Sequence, residues 1–168
     1  MDSFRRDVQE MCRNAPTELP RQIDGSTPLD HFEARIYLIE LNNLAWECAT
    51  SSDASSRDPE RAMRLAQPLI TAAPQEGNYW NTLGAAHYRA GSWQQAVRSL
   101  QKSMALRAGG DSFDWFFLAM CHWQLGQRDQ ARDWYTRAVE WMTKYKPQDA
   151  ELIRFRSEAA ELLGMPTG

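Results

Sequence analysis

Tyr79-Trp80-Asn81-Thr82-Leu83-Gly84-Ala85-Ala86-His87-Tyr88-Arg89-Ala90-Gly91 is followed by a second version of itself, Asp114-Trp115-Phe116-Phe117-Leu118-Ala119-Met120-Cys121-His122-Trp123-Gln124-Leu125-Gly126. Tryptophan recurs from 80 to 115, leucine from 83 to 118, histidine from 87 to 122, glycine from 91 to 126 and alanine from 96 to 131, always 35 residues on. Positions 80, 83, 84 and 87 fall on one face of a helix. Self-similarity at one fixed period marks an architecture of repeated units, each too small to bury its own apolar face.

Working outward, the same punctuation divides the rest of the chain. Gly91, Gly109-Gly110 and Gly126 separate helices expected at 77–90, 93–107, 112–125 and 128–145. Asp58-Pro59 opens a helix running to about residue 73, with Pro68 inside it as an expected kink. Thr27-Pro28 opens another by the same device, and helix formers continue from Asp30 to about Thr50. A weaker copy of the repeat uses Leu41, Leu44, Ala45 and Cys48, then Ala62 and Ala66, with five extra residues in its turn. At the C-terminal end, Leu152, Phe155, Ala159, Leu162 and Leu163 line one stripe of a helix over 147–163. Ahead of all this, Phe4, Val8, Met11 and Cys12 give a short amphipathic helix, and a Pro- and Gly-punctuated linker follows. The organisation is thus residues 1–26, N-terminal helix and linker, and residues 27–168, repeat domain with a final capping helix.

The unit Trp80-x-x-Leu83-Gly84-x-x-His87 followed by Ala96-x-x-x-Leu100 resembles the tetratricopeptide (TPR) repeat. Trp115, Leu118, Ala119, His122, Ala131, Tyr135 and Ala138 fill the next copy. In finer detail the chain is similar to the TPR tails that follow serine/threonine kinase or other effector domains in large bacterial proteins. It has no His-Arg-Asp or Asp-Phe-Gly motif, so no kinase activity carries over. The resemblance implies an all-α fold: a short TPR-type α-solenoid of about three helix pairs, with the C-terminal helix as cap and an N-terminal helical extension. The cap is expected against the helix bearing Tyr135, Ala138 and Val139.

Composition narrows the function. The 168 residues carry a net charge of −3, which does not suggest a nucleic-acid footprint. Three widely spaced cysteines, Cys12, Cys48 and Cys121, make neither a disulfide framework nor a metal site. No long apolar run or leader-like segment occurs, so the cytoplasm is the expected location and no membrane is involved. His87 and His122 occupy equivalent repeat positions, which reads as packing against the partner helix; no metal, cofactor or catalytic set is expected. Trp80 and Trp115 read as scaffold.

A second stripe on the first helix of each pair, offset from the packing face, is expected to line the concave side of the superhelix. It carries Ile39, Asn42, Trp46, Ala49 and Thr50, then Asn78, Asn81, Ala85, Tyr88 and Arg89, then Phe113, Phe116, Met120, Trp123 and Gln124. Such an aromatic set is not normally left in water. The partner-binding candidates are therefore Trp46, Asn81, Tyr88, Arg89, Phe113, Phe116, Met120 and Trp123, taking a peptide or helix of another protein. The alternative for these side chains is packing on one another or on the cap. TPR proteins that hold acidic chaperone tails use a lysine, asparagine and arginine clamp. Here the corresponding positions are Asn42, Trp46, Thr82, Phe113 and Phe117, so that ligand is not implied. The expected role is a non-catalytic adaptor or regulatory subunit; a helical-repeat RNA-binding protein is the alternative. The N-terminal helix is a candidate either for covering the groove, in its own chain or in a second copy, or for capping the first helix pair.

Overall fold

A computed structural model describes residues 31–166, with side chains from Arg35 onward. The helix and linker expected over 1–26, and the Thr27-Pro28 start signal, lie outside the described residues. Those described form an all-α fold of seven α-helices without a strand. The helices are α1 (His31–Thr50), α2 (Pro59–Ala72), α3 (Gly77–Arg89), α4 (Trp93–Leu106), α5 (Ser112–Gln124), α6 (Arg128–Tyr145) and α7 (Ala150–Leu163).

Local chemistry sets the boundaries. Asp58 caps α2 by accepting from the Arg61 amide, with Pro59 at the first helical position. The helix continues through Pro68 without interruption. Asp111 and Asp114 form a reciprocal capping box at the start of α5. The last helix begins three residues later than Pro147. Lys146 to Asp149 closes a turn, the Asp149 amide donating to the Lys146 carbonyl at 3.2 Å, and the Asp149 carboxylate then accepts from the amides of Glu151 and Leu152.

The 35-residue repeat is present in the hydrogen bonds as well as in the letters. Trp80 Nε1 donates to the Pro74 carbonyl at 2.9 Å, and Trp115 Nε1 donates to the Gly109 carbonyl at 3.1 Å. The Ser92 amide reaches the His87 carbonyl and the Gln127 amide reaches the His122 carbonyl, both at 2.9 Å. Gly91 and Gly126, at φ +73° and +77°, sit inside those two turns and donate to Tyr88 and Trp123. This is the Schellman closure, which needs a left-handed residue at that point. Gly84 serves close approach: a Cβ there would lie 2.6 Å from Leu100 Cγ and 3.3 Å from the Leu100 backbone nitrogen.

Sequential helices pack on each other, most extensively α3 on α4 and α5 on α6. The odd-numbered helices also neighbour one another in order, α1 on α3, α3 on α5 and α5 on α7. The fully buried core runs through Leu69, Leu100, Phe116, Phe117, Leu118, Met120, Leu152 and Phe155. Its last two members come from α7, which is therefore part of the core. Among the described residues no helix is long and apolar enough to cross a membrane.

Candidate functional site

The odd-numbered helices bring Trp46 edge-on to Phe113 and Phe117, at 6.2 Å and 6.3 Å between ring centroids. Tyr88 of α3 adds a T-shaped contact to Phe117 at 5.6 Å. The ring that completes this cluster is Phe155 of α7, 5.9 Å from Trp46, 5.1 Å from Phe117 and 6.4 Å from Phe113, and wholly buried. Offset and edge-to-face geometries of this kind suit the ring quadrupoles.

Two polar anchors flank Phe155. Trp46 Nε1 donates to Glu151 Oε1 at 3.0 Å. Arg89 binds Glu158 with both terminal nitrogens, one bond being 2.8 Å from Nη2 to Oε2. Bidentate geometry of this sort is the strong form of the arginine–carboxylate bond. The Arg89 side chain is only 8% exposed and that of Glu158 28%, so the pair is shielded from water. Glu151, Phe155 and Glu158 are spaced i, i+4, i+7 and share one face of α7. A third tie comes from Arg154, which donates to the Ser51 carbonyl at 3.3 Å; Arg57 donates to the same oxygen at 2.8 Å. Burial, with the nearby Glu158 charge as a smaller cause, pushes the Tyr88 phenol well above its usual range.

The sequence-derived candidates divide accordingly. Trp46, Tyr88, Arg89 and Phe113 do come together, and α7 lies over them. Asn81 does not join them: it is buried and donates to Asp114 Oδ1 at 2.9 Å. Phe116 turns to the partner helix, 6.0 Å from Tyr135, and Met120 is fully buried. Trp123 stands apart beneath the Arg128 guanidinium, 3.6 Å from its ring centroid. Ile39, on the same expected stripe, is 41% exposed. The cap also differs from expectation. It touches α6, but its Glu151, Phe155 and Glu158 address α1, α3 and α5. Phe117, Glu151, Phe155 and Glu158 were not among the candidates. Their signal was the i, i+4 spacing of Phe113 and Phe117, and the acidic residues bordering the α7 stripe.

A second polar cluster lies where α3, α4 and α5 meet. Asp114, with no exposed surface, takes bonds from Arg107, from Asn81 and from the Asp111 amide. Burial raises the Asp114 carboxyl above its usual range, against the opposing effects of Arg107, Ser103 and Asn81. Every partner belongs to the fold, and the arrangement positions helices. His122 is buried and its Nδ1 lies 2.6 Å from Gln127 Oε1, whereas the buried His87 Nδ1 has no such partner among the described residues. Burial lowers the His87 pKa and raises the Cys121 thiol to about 12, which leaves that thiol unreactive. Among the described residues, no three His, Cys, Asp or Glu side chains are grouped to hold a metal ion.

Compared with known proteins, the chain matches no family model and no curated sequence.

Proposed function

We propose that the chain is a TPR-type solenoid acting as a non-catalytic interaction module, an adaptor or regulatory subunit. In this reading it takes a helix of another protein on the face formed by α1, α3 and α5, and α7 holds that place when the partner is absent. The observation that carries the reading is the seating of α7. An amphipathic helix lies on Trp46, Phe113 and Phe117, anchored at one end by an indole N–H and at the other by a bidentate arginine. This is the helix-in-groove mode of recognition, realised within one chain. The repeated tryptophan and Schellman bonds, 35 residues apart, support the solenoid assignment.

The same contacts weigh against RNA as the ligand. Arg89 on this face is engaged with Glu158, and Arg154 of α7 with Glu151 and the Ser51 carbonyl. A cytoplasmic site of action accompanies the proposal.

The test is capture of a partner from the native cell, followed by a direct binding measurement against two single variants. Trp46→Ala should weaken binding at least about tenfold, the scale of an interface hot spot. Trp123→Ala, which lies off this face, should leave binding unchanged. Equal binding by wild type and a folded Trp46→Ala protein would overturn the assignment.

A further inference from the structure

The residues beneath α7 also specify what kind of helix could replace it. We infer that this face selects an acidic amphipathic helix with a carboxylate, an aromatic ring and a second carboxylate at i, i+4 and i+7, and that α7 is the chain's own copy of that ligand. The inference rests on the interaction-module reading above and adds the chemistry of the partner.

Three requirements fix the pattern. Trp46 Nε1 needs an acceptor, and Glu151 supplies it at 3.0 Å. The space between Trp46, Phe113 and Phe117 needs a flat ring, and Phe155 fills it. Arg89 is almost fully buried and needs a negative charge, which Glu158 supplies through two bonds. An apolar or basic helix would leave Arg89 as a buried charge without a counter-ion, a strongly unfavourable state. A polar but uncharged helix would leave it only partly satisfied.

The occupant also leaves something undone. Arg89 Nε is buried without a hydrogen-bond partner among the described residues, although each terminal nitrogen donates to Glu158. Native proteins pair nearly all such groups. A helix with an additional acceptor near that position would satisfy Arg89 more completely than α7 does.

Exchange is governed by tethering. The turn from Lys146 to Asp149 ties α7 to α6, and a short tether presents its helix at an effective concentration in the millimolar range. An outside copy of α7 at about 100 µM would then fill no more than about a tenth of the sites in the wild-type chain. Weakening the tethered copy shifts the balance outward.

The experiment uses the full chain and a fluorescent peptide spanning residues 147–166. Anisotropy titrations compare wild-type protein with Glu158→Gln protein, whose tethered helix no longer neutralises Arg89. The acidic peptide should bind the variant at least about tenfold more tightly than wild type. A peptide with both Glu151→Gln and Glu158→Gln should bind the same variant at least about tenfold more weakly than the acidic one. If Glu158→Gln does not fold by circular dichroism, Glu151→Leu protein, whose tethered helix leaves Trp46 Nε1 without its acceptor, takes its place with the same two expectations. Equal binding of acidic and glutamine peptides, or no binding of either at about millimolar concentration, would overturn the inference. So would dimers of the chain that take up no peptide, which would reassign the face to α7 of a second copy. A captured partner that needs Trp46 while the acidic peptide fails would leave the module reading standing and remove only this one.

Discussion

The two strong copies of the repeat share their backbone and differ in what they present. In α3–α4 and α5–α6 the same tryptophan, glycine and chain-reversal bonds recur 35 residues apart. Yet Asn78 and Thr82 of the first copy stand where the second has Phe113 and Phe117. Thr82 Oγ1 donates to Asn42 Oδ1 at 2.8 Å, joining α3 to α1 through a polar bond. Phe113 and Phe117 instead build the aromatic seat of α7. Repeated positions make the scaffold, and the positions that break the repeat decide what lies on it.

Exchanging residues between the copies tests that division. The largest effect is expected from Phe117→Thr, which gives the second copy the residue of the first. Phe117 is fully buried against Trp46, Tyr88 and Phe155, so the loss should be about 3–5 kcal/mol in urea unfolding. A loss below about 1 kcal/mol would mean that the seat is dispensable. Gly84→Ala makes the reverse kind of exchange, since Ala119 holds that position in the second copy. The added Cβ collides with Leu100, and a destabilisation of about 1–3 kcal/mol is expected. If unfolding midpoints do not move, the α3–α4 approach is looser than described.

Histidine gives the smaller effects. His87 and His122 are equivalent, but Gln127 supplies a partner to His122 while Ser92, at the matching place, supplies none to His87. Ser92→Gln should therefore add about 0.5–1.5 kcal/mol, read as a raised melting temperature. No gain would show that the two turns differ in more than that side chain. Because burial lowers the folded-state pKa of His87, the unfolded chain binds its proton first. Stability linked to this group is present above pH 6.5 and is lost as pH falls from there through the folded value. Denaturant titrations at pH 7.5 and 5 should show a loss in wild type that is smaller in His87→Gln.

Much of the scaffold was legible in the sequence because its signals are local and periodic. Glycine at 91 and 126, proline at 59 and the i, i+3, i+4, i+7 spacing around Trp80 and Trp115 each act within a turn or two of the chain. The capping box at Asp111 and Asp114 is local too but was not among the expected features, and its further use, burial of Asp114 against Arg107 and Asn81, depends on helices meeting in space. The aromatic seat of α7 was legible only in part. A helical-wheel offset put Trp46, Tyr88, Arg89 and Phe113 on one stripe, and the fold does bring them together. The offset chose Phe116 over Phe117, although the two side chains differ by about 100° around the axis and only one can face α6. The destination of α7 was beyond local reading. Its stripe of Leu152, Phe155 and Ala159 says that the helix is covered, while partners up to 105 residues away decide by what.

The central claim is that α7 is held on the α1/α3/α5 face by specific contacts, and a double-mutant cycle between Arg89 and Glu158 measures it most directly. The two are 69 residues apart in sequence, so only contact in the folded chain can couple them strongly. Arg89→Ala, Glu158→Ala and the double variant, unfolded in urea beside wild type, should give a coupling of about 1–2 kcal/mol for this partly shielded bidentate pair. Additive effects, within about 0.3 kcal/mol, would contradict the placement of α7.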